Sequence, residues 1–176
     1  MSTTDLYLTA EQPGIGGRLK VRPEDFFVEE IPLYLPSGEG PHVYAEIEKT
    51  GLSTYAAIKM IAQALNISPN AVGYAGLKDA RAITRQSLSL EGVAPEAVTQ
   101  LNLPNIKILN VDRHGNKLRV GHLAGNRFVI RVREVTPAAL PQVETTLEVL
   151  GRQGVPNFFG EQRFGNRGNT DRLVNC

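Results

Sequence analysis

The chain has 176 residues, enough for one domain with a sizeable hydrophobic core, and its formal charge of +1 gives no global attraction to a polyanion. Its single cysteine, Cys176, excludes an internal disulfide and a cysteine-ligated metal site, and its 3 histidines lack the close spacing of zinc ligands. No apolar run approaches the roughly 20 residues of a membrane span, and the polar start is not a signal peptide. We therefore expect a cytoplasmic monomer with no metal and no membrane partner.

Charge is unevenly distributed along the chain. Residues 1–50 are rich in acids, whereas residues 105–134 are rich in arginine and lysine. A basic face of this kind is the usual footprint of nucleic-acid binding. A solvated strand face explains the pattern nearly as well.

The first 50 residues predict an arm followed by strands. Residues 1–16 are polar and glycine-rich and are expected to form an extended arm. Apolar and polar residues alternate over residues 17–22 and again over residues 42–49, which predicts two half-buried strands. Pro23 ends the first of them, and a further strand is expected from Phe26.

The middle of the chain predicts a helix, a charged loop and a strand. Apolar residues recur at helical spacing over residues 54–65, behind a Ser-Thr pair that can cap the helix. Residues 84–90 alternate as a strand, and a short helix is expected over residues 95–101. The loop at residues 73–86 contains two glycines, Lys-Asp and two arginines, and the alternative reading is a solvated turn without function.

The second half predicts a hairpin, another strand and a helix. Strands are expected over residues 106–112 and 117–123, joined by a turn at 113–116. A turn at 124–127 and a strand over 128–135 follow. A helix is then expected from Thr136-Pro137 to Gly151.

The last residues predict a polar cluster and an unfinished element. Residues 155–165 combine three aromatics with polar side chains, which indicates a buried polar cluster packed on aromatic rings. Residues 169–171 look like a helix cap, but a helix of the five residues that follow is not stable alone. We therefore expect a truncated chain, with missing strands that leave an open sheet edge and exposed apolar surface.

Five blocks of sequence together closely resemble the TruD family of tRNA pseudouridine synthases. They are Pro-Glu-Asp-Phe at 23–26, Pro-Ser-Gly-Glu-Gly with His42, the charged loop at 73–86, Gly-Asn-Arg-Phe at 125–128 and the Asn-Phe-Phe-Gly-Glu-Gln-Arg-Phe-Gly block within 155–165. Each block alone is a weak signal. Their common order along most of the chain is a strong one.

The resemblance implies an α+β fold, the pseudouridine synthase catalytic fold, with a mixed, largely antiparallel sheet flanked by helices. Residues 17–165 would be part of that catalytic domain, and residues 166–176 the start of a following element. The implied activity is isomerisation of one uridine of tRNA, position 13 in bacterial members. This reaction conserves atoms and oxidation state, so it needs neither a metal nor a redox cofactor.

The resemblance also assigns site residues. Asp79 matches the catalytic aspartate of the family, and Lys20 matches its basic active-site residue. Phe128 matches the aromatic that packs on the target base. Asn126 lies in the same block and should line the site, and Phe26 matches a further, supporting aromatic.

Basic residues near Asp79 are further candidates for binding substrate. A nearby cation would lower the pKa of Asp79 and keep the carboxylate ionised, with Lys20 as the candidate and Lys78 as its rival. Arg81 belongs to a set of arginines that could neutralise phosphates or could equally be hydrated strand-edge residues. The full set is Arg81, Arg85, Arg127, Arg131 and Arg133.

Two other functions remain open at this point. A truncated chain could bind RNA without catalysis, in which case Asp79→Ala would leave binding unchanged. Alternatively, Lys78 could be a Schiff-base amine, which borohydride trapping with a carbonyl substrate would reveal.

Overall fold

The computed structural model describes residues 8–12 and 14–155. These residues fall into two compact units, with Gly17–Glu134 forming the larger one and the remaining described residues belonging to the smaller one. All of the predicted site residues lie in the larger unit. Within the described part of the chain, no helix is long and apolar enough to cross a membrane.

A mixed sheet forms the centre of the larger unit. Five strands lie in the order β6-β3-β5-β2-β7, β4 pairs with β5, and β1 pairs with β8 in a separate two-stranded sheet. β2 is parallel to β5, and the other pairs of the main sheet are antiparallel. The bounds are Gly16–Arg18 (β1), Phe26–Pro32 (β2), His42–Thr50 (β3), Val72–Tyr74 (β4), Ile83–Glu91 (β5), Ile106–His114 (β6), Leu123–Ile130 (β7) and Arg133–Val135 (β8).

Two helices accompany this sheet, Thr54–Ala64 (α1) and Pro95–Thr99 (α2). The Ser53 side chain caps α1 by accepting a hydrogen bond from the Ala56 N–H, at the cap position that the sequence predicts. One apolar side of α1 packs on β3 and β5 to form the main core. Its buried members include Val43, Ala45, Ile47, Ala57, Ile58, Ile61, Leu88 and Leu90.

The register places two neighbouring rows of side chains on opposite faces of the sheet, because side chains alternate along a strand. The first, here called the site row, faces α1 and consists of Lys49, Thr84, Val28 and Phe128 on β3, β5, β2 and β7. The second, here called the charged row, lies one residue along on the other face and consists of Lys107, Glu48, Arg85, Glu29 and Arg127.

The segment after β6 is not the second strand of a hairpin. β6 pairs with β3, and residues 117–122 form no strand. Their amides are bound elsewhere: the Leu118 N–H donates to Ser89 Oγ at 2.9 Å, and the Gly121 N–H donates to the Ala75 carbonyl at 2.8 Å. Leu118 is also buried. The predicted hairpin is therefore wrong, because this segment bonds these amides to β5 and to the loop that carries Asp79.

β7 begins earlier than the sequence predicts. Residues 124–127 belong to the strand and not to a turn, because β2 supplies antiparallel ladder partners for them. The regular part of β7 ends at Ile130, and the short β8 follows. As a result, Asn126 stands in the ladder opposite Glu30.

Gly73 lies at a close approach of two backbones, at the start of the Asp79 loop. A Cβ on Gly73 would stand 2.3 Å from the Leu118 carbonyl oxygen and 2.5 Å from Ser89 Oγ. We expect Gly73→Ala to lower the free energy of unfolding by roughly 1–3 kcal/mol, as overpacking does, in urea denaturation. Gly115→Ala is the matched control, since nothing lies within 4 Å of its added Cβ. Equal losses in the two variants would contradict the steric explanation.

The smaller unit contains a helix at Leu140–Gln153 (α3), preceded by a 3-10 turn at Pro137–Ala139. The helix was expected to end at Gly151. It continues to Gln153, and Gly154 follows with a φ of 77° and donates its N–H to the Leu150 carbonyl. Residues 156–176, with most of the predicted polar cluster and the final helix cap, lie outside the described residues.

Candidate active site

Lys20 lies in a bend and not in the strand predicted over residues 17–22. β1 ends at Arg18, and Lys20 has a φ of 54°. The left-handed conformation is uncommon for a residue with a side chain and costs on the order of 1–3 kcal/mol. Backbone strain of this kind is typical of functional sites. In this bend the Lys20 ammonium group reaches Asp79.

Lys20 and Asp79 form an ion pair, although they lie 59 residues apart in the sequence. Lys20 Nζ donates to Asp79 Oδ2, and about a third of each side chain stays exposed, 31% and 34%. Asp79 Oδ1 accepts a hydrogen bond from the Arg81 N–H at 2.8 Å. The hydrogen bond from Lys20 is the main cause that lowers the pKa of Asp79, and it outweighs the opposing effect of burial. The carboxylate is therefore ionised at neutral pH.

Two aromatic rings continue the site from Lys20. Lys20 Nζ lies 4.1 Å from the centroid of the Phe26 ring, within the range of a cation–π contact. Phe26 meets Phe128 edge to face, with ring centroids 6.0 Å apart. Phe128 keeps 54% of its surface exposed. Contacts thus run from Asp79 through Lys20 and Phe26 to an exposed aromatic ring that can stack on a planar base.

A buried polar network fixes the loop that carries Asp79. Lys78 Nζ donates to Glu30 Oε2 at 2.5 Å, and these side chains are 3% and 2% exposed. The Lys78 N–H donates to Thr54 Oγ1 at 2.9 Å, and Thr54 donates in turn to Gln86 Oε1 at 3.0 Å. The loop is thereby tied to β2, to the first turn of α1 and to β5.

The predicted basic residues around Asp79 thus occupy different environments. Lys20, and not Lys78, binds the Asp79 carboxylate. Lys78 is buried against Glu30, so its ammonium group anchors the loop and offers no exposed surface to a substrate or a carbonyl compound. Arg81 and Asn126 are exposed, and their contact with substrate stays a prediction.

Three of the five arginines predicted to bind phosphates face carboxylates. In the charged row, Arg85 lies 3.0 Å from Glu48 and 3.6 Å from Glu29, and Arg127 lies 3.3 Å from Glu29. Arg133 Nε lies 2.6 Å from the buried Asp25 carboxylate. For these three arginines the structure favours paired strand residues, the alternative that the sequence left open.

Lys49 contacts the Asp79 loop but is absent from the predicted site residues. It is 0% exposed, and its Nζ donates to the Leu52 carbonyl at 2.5 Å and to the Asp79 carbonyl at 3.2 Å. A signal for it exists in the sequence, because the alternation of β3 that turns apolar residues inward also turns Lys49 inward. The residues before it in this inward series are Val43, Ala45 and Ile47.

The chain matches the protein-family model described as tRNA pseudouridine synthase D (TruD) over residues 3–175. A tRNA pseudouridine synthase D from Geobacter metallireducens is 58% identical over 170 residues, which cover 97% of this chain and 42% of the relative. Another from Thermus thermophilus is 44% identical over 160 residues, which cover 90% of this chain and 45% of the relative. The chain therefore spans about two fifths of the length of these curated relatives.

The fold is also similar to a solved structure. A crystal structure from Methanosarcina mazei, described as a candidate tRNA pseudouridine synthase D, superposes with a TM-score of 0.81 at 32% identity. The match covers 88% of this chain and 36% of that one. The predicted α+β class, with its mostly antiparallel sheet and flanking helices, is confirmed.

Proposed function

Because the chain belongs to the tRNA pseudouridine synthase D (TruD) family, we propose that it takes part in the isomerisation of a uridine of tRNA to pseudouridine. The target is position 13, as the resemblance of the sequence blocks implies. The observation that carries the proposal is the series of contacts from Asp79 through Lys20 and Phe26 to Phe128. It sets an ionised carboxylate near an exposed aromatic ring.

The proposed reaction moves uracil from an N1 to a C5 attachment on the same ribose. The N1–C1′ bond breaks, a C5–C1′ bond forms, the proton leaves C5 and N1 gains one, so atoms and electrons balance. Asp79 acts either as a nucleophile at C1′ or as a base that removes a ribose proton. Both routes need the carboxylate form, and the ion pair with Lys20 favours that form.

A uridine inside folded tRNA must leave its stack to reach Asp79. Unstacking costs roughly a few kcal/mol, and stacking on an aromatic side chain returns about 1–3 kcal/mol per base. We place the extruded uracil against Phe128, with Asn126 two residues away on the same face of β7. The exposed Arg81 would meet a backbone phosphate.

Release of tritium from tRNA that carries 5-tritiated uridine tests this function, because the label leaves C5 when the new C–C bond forms. We expect the 176-residue chain to release the label and to form pseudouridine at position 13. Binding of tRNA without release of tritium would favour an RNA-binding role without catalysis. A chain that neither binds tRNA nor releases tritium would contradict both functions.

Lys20→Met is expected to move the acid limb of the pH profile of kcat/KM to higher pH. The folded-state pKa of Asp79 lies below the ordinary value of 3.8 mainly because of Lys20, so the wild-type carboxylate protonates only below that value. Without the ammonium group its pKa rises. Tritium release measured between about pH 3.5 and 7 would show the shift. An acid limb that does not move would mean that a group other than Asp79 controls it.

A further inference from the structure

We propose that Lys49 is a positioning residue for Asp79, whose buried ammonium group holds the Asp79 peptide in place and keeps a positive charge near its carboxylate when substrate displaces Lys20. The proposal rests on the proposed role of Asp79. It adds a second cation, the buried ammonium group of Lys49, to the same site.

The contacts of Lys49 join three elements at one point. Its side chain projects from the end of β3 in the site row and is fully buried. Its Nζ donates at 2.5 Å to the carbonyl of Leu52, the residue before the Ser53 cap of α1, and at 3.2 Å to the carbonyl of Asp79. One ammonium group thus ties the residue that bears the carboxylate to the start of α1.

A buried lysine is unfavourable at this position, because burial disfavours the charged form of an amine. Burial lowers the pKa of Lys49 to about 8, the charge of Lys78 lowers it too, and the charge of Asp79 opposes both. Each of these two charged neighbours has an ion-pair partner of its own: Lys78 pairs with Glu30, and Asp79 pairs with Lys20. Lys78 is therefore compensated by Glu30, whereas the charge of Lys49 acts on Asp79.

The two cations at Asp79 differ in what they bind. Lys20 binds Oδ2 of the carboxylate itself, so this ion pair must loosen when that oxygen turns towards the ribose. Lys49 binds the main-chain carbonyl, and that contact can persist while the side chain turns. Its charge also lowers the pKa of Asp79. Lys49 can thus keep the carboxylate ionised during the step in which Lys20 no longer does.

Side-chain carbon-13 NMR titration of the 176-residue chain tests this without any substrate. Lys49 is expected to titrate with a pKa of about 8 in the wild type. In Asp79→Asn its pKa should fall further, because the carboxylate that favours the ammonium form is gone. An identical pKa of Lys49 in both proteins would overturn the proposal, and this comparison needs no substitution of Lys49.

The reciprocal experiment measures the pKa of the Asp79 carboxylate when Lys49 is replaced. Lys49→Met should raise the pKa of Asp79, both alone and in a Lys20→Met background. Lys59→Met is the matched control, an exposed lysine of α1 whose loss should leave the pKa of Asp79 unchanged. A folded Lys49→Met chain with an unchanged pKa of Asp79 would also overturn the proposal.

Kinetics separate positioning from simple stabilisation. We expect Lys49→Met to lower kcat on the order of tenfold with little change in KM, since displaced reacting groups lose rate. Lys49→Arg stays charged at alkaline pH and should keep its rate above pH 8, where the wild type declines as Lys49 loses its proton. A raised KM with unchanged kcat would contradict this role. If the wild type itself releases no tritium, the proposed function fails, and the titrations still decide the role of Lys49.

Discussion

Asp79→Asn is expected to suppress pseudouridine formation, with a loss in kcat of at least about 10²-fold. The neutral amide can neither attack C1′ nor accept a ribose proton. Removing a general base costs roughly 10²–10⁴-fold, whereas removing a nucleophile costs on the order of 10⁶-fold. The residual rate of tritium release, measured at high enzyme concentration, therefore distinguishes the two routes.

A matched control for this substitution is Asp112→Asn on β6. Like Asp79, Asp112 accepts a hydrogen bond from a nearby main-chain N–H, here that of Arg113 at 2.7 Å. Its partner across the strands is Tyr44, so it is placed away from the site row. We expect this variant to keep the wild-type rate. If Asp79→Asn keeps more than about one per cent of that rate while it remains folded, neither proposed route holds.

Three buried elements of this fold could be predicted from periodicity alone. The strand predicted over residues 42–49 is β3, and the helix predicted over residues 54–65 is α1. Each of these elements buries one side in the same core, and the pattern of apolar residues records which side that is. The strand predicted over residues 84–90 corresponds to β5 for the same reason.

The other parts of the fold, and the site itself, depend on contacts between residues that are distant in the sequence. Residues 117–122 alternate like a strand, yet their amides bond to Ser89 and Ala75, and no local pattern contains those partners. Lys20 meets Asp79 through a left-handed bend that interrupts an alternating sequence. The family resemblance named both residues as active-site groups. It said nothing of Lys49, whose inward position was readable from β3 but whose contact with Asp79 requires the fold.

Lys78→Met is expected to lower the free energy of unfolding by about 3–5 kcal/mol, because it leaves the Glu30 carboxylate buried without its cation. The Ser87 N–H, at 3.2 Å from Glu30 Oε1, is a weak replacement for an ammonium group. Urea denaturation measures the loss. Lys107→Met is the matched control, since Lys107 is 75% exposed in its pair with Glu48, and we expect it to cost less than about 1 kcal/mol.

A double variant, Lys78→Met with Glu30→Met, decides whether the unpaired charge causes that loss. Replacing both members of a buried pair with apolar residues is often neutral, so the double variant should regain much of the stability, less the acceptor that Ser87 loses. A double variant no more stable than Lys78→Met would contradict the explanation.

Tritium release by the same double variant then separates two roles of the pair. If the stable double variant is active, Lys78 and Glu30 only stabilise the fold; if it is folded and inactive, their polar contact also places Asp79.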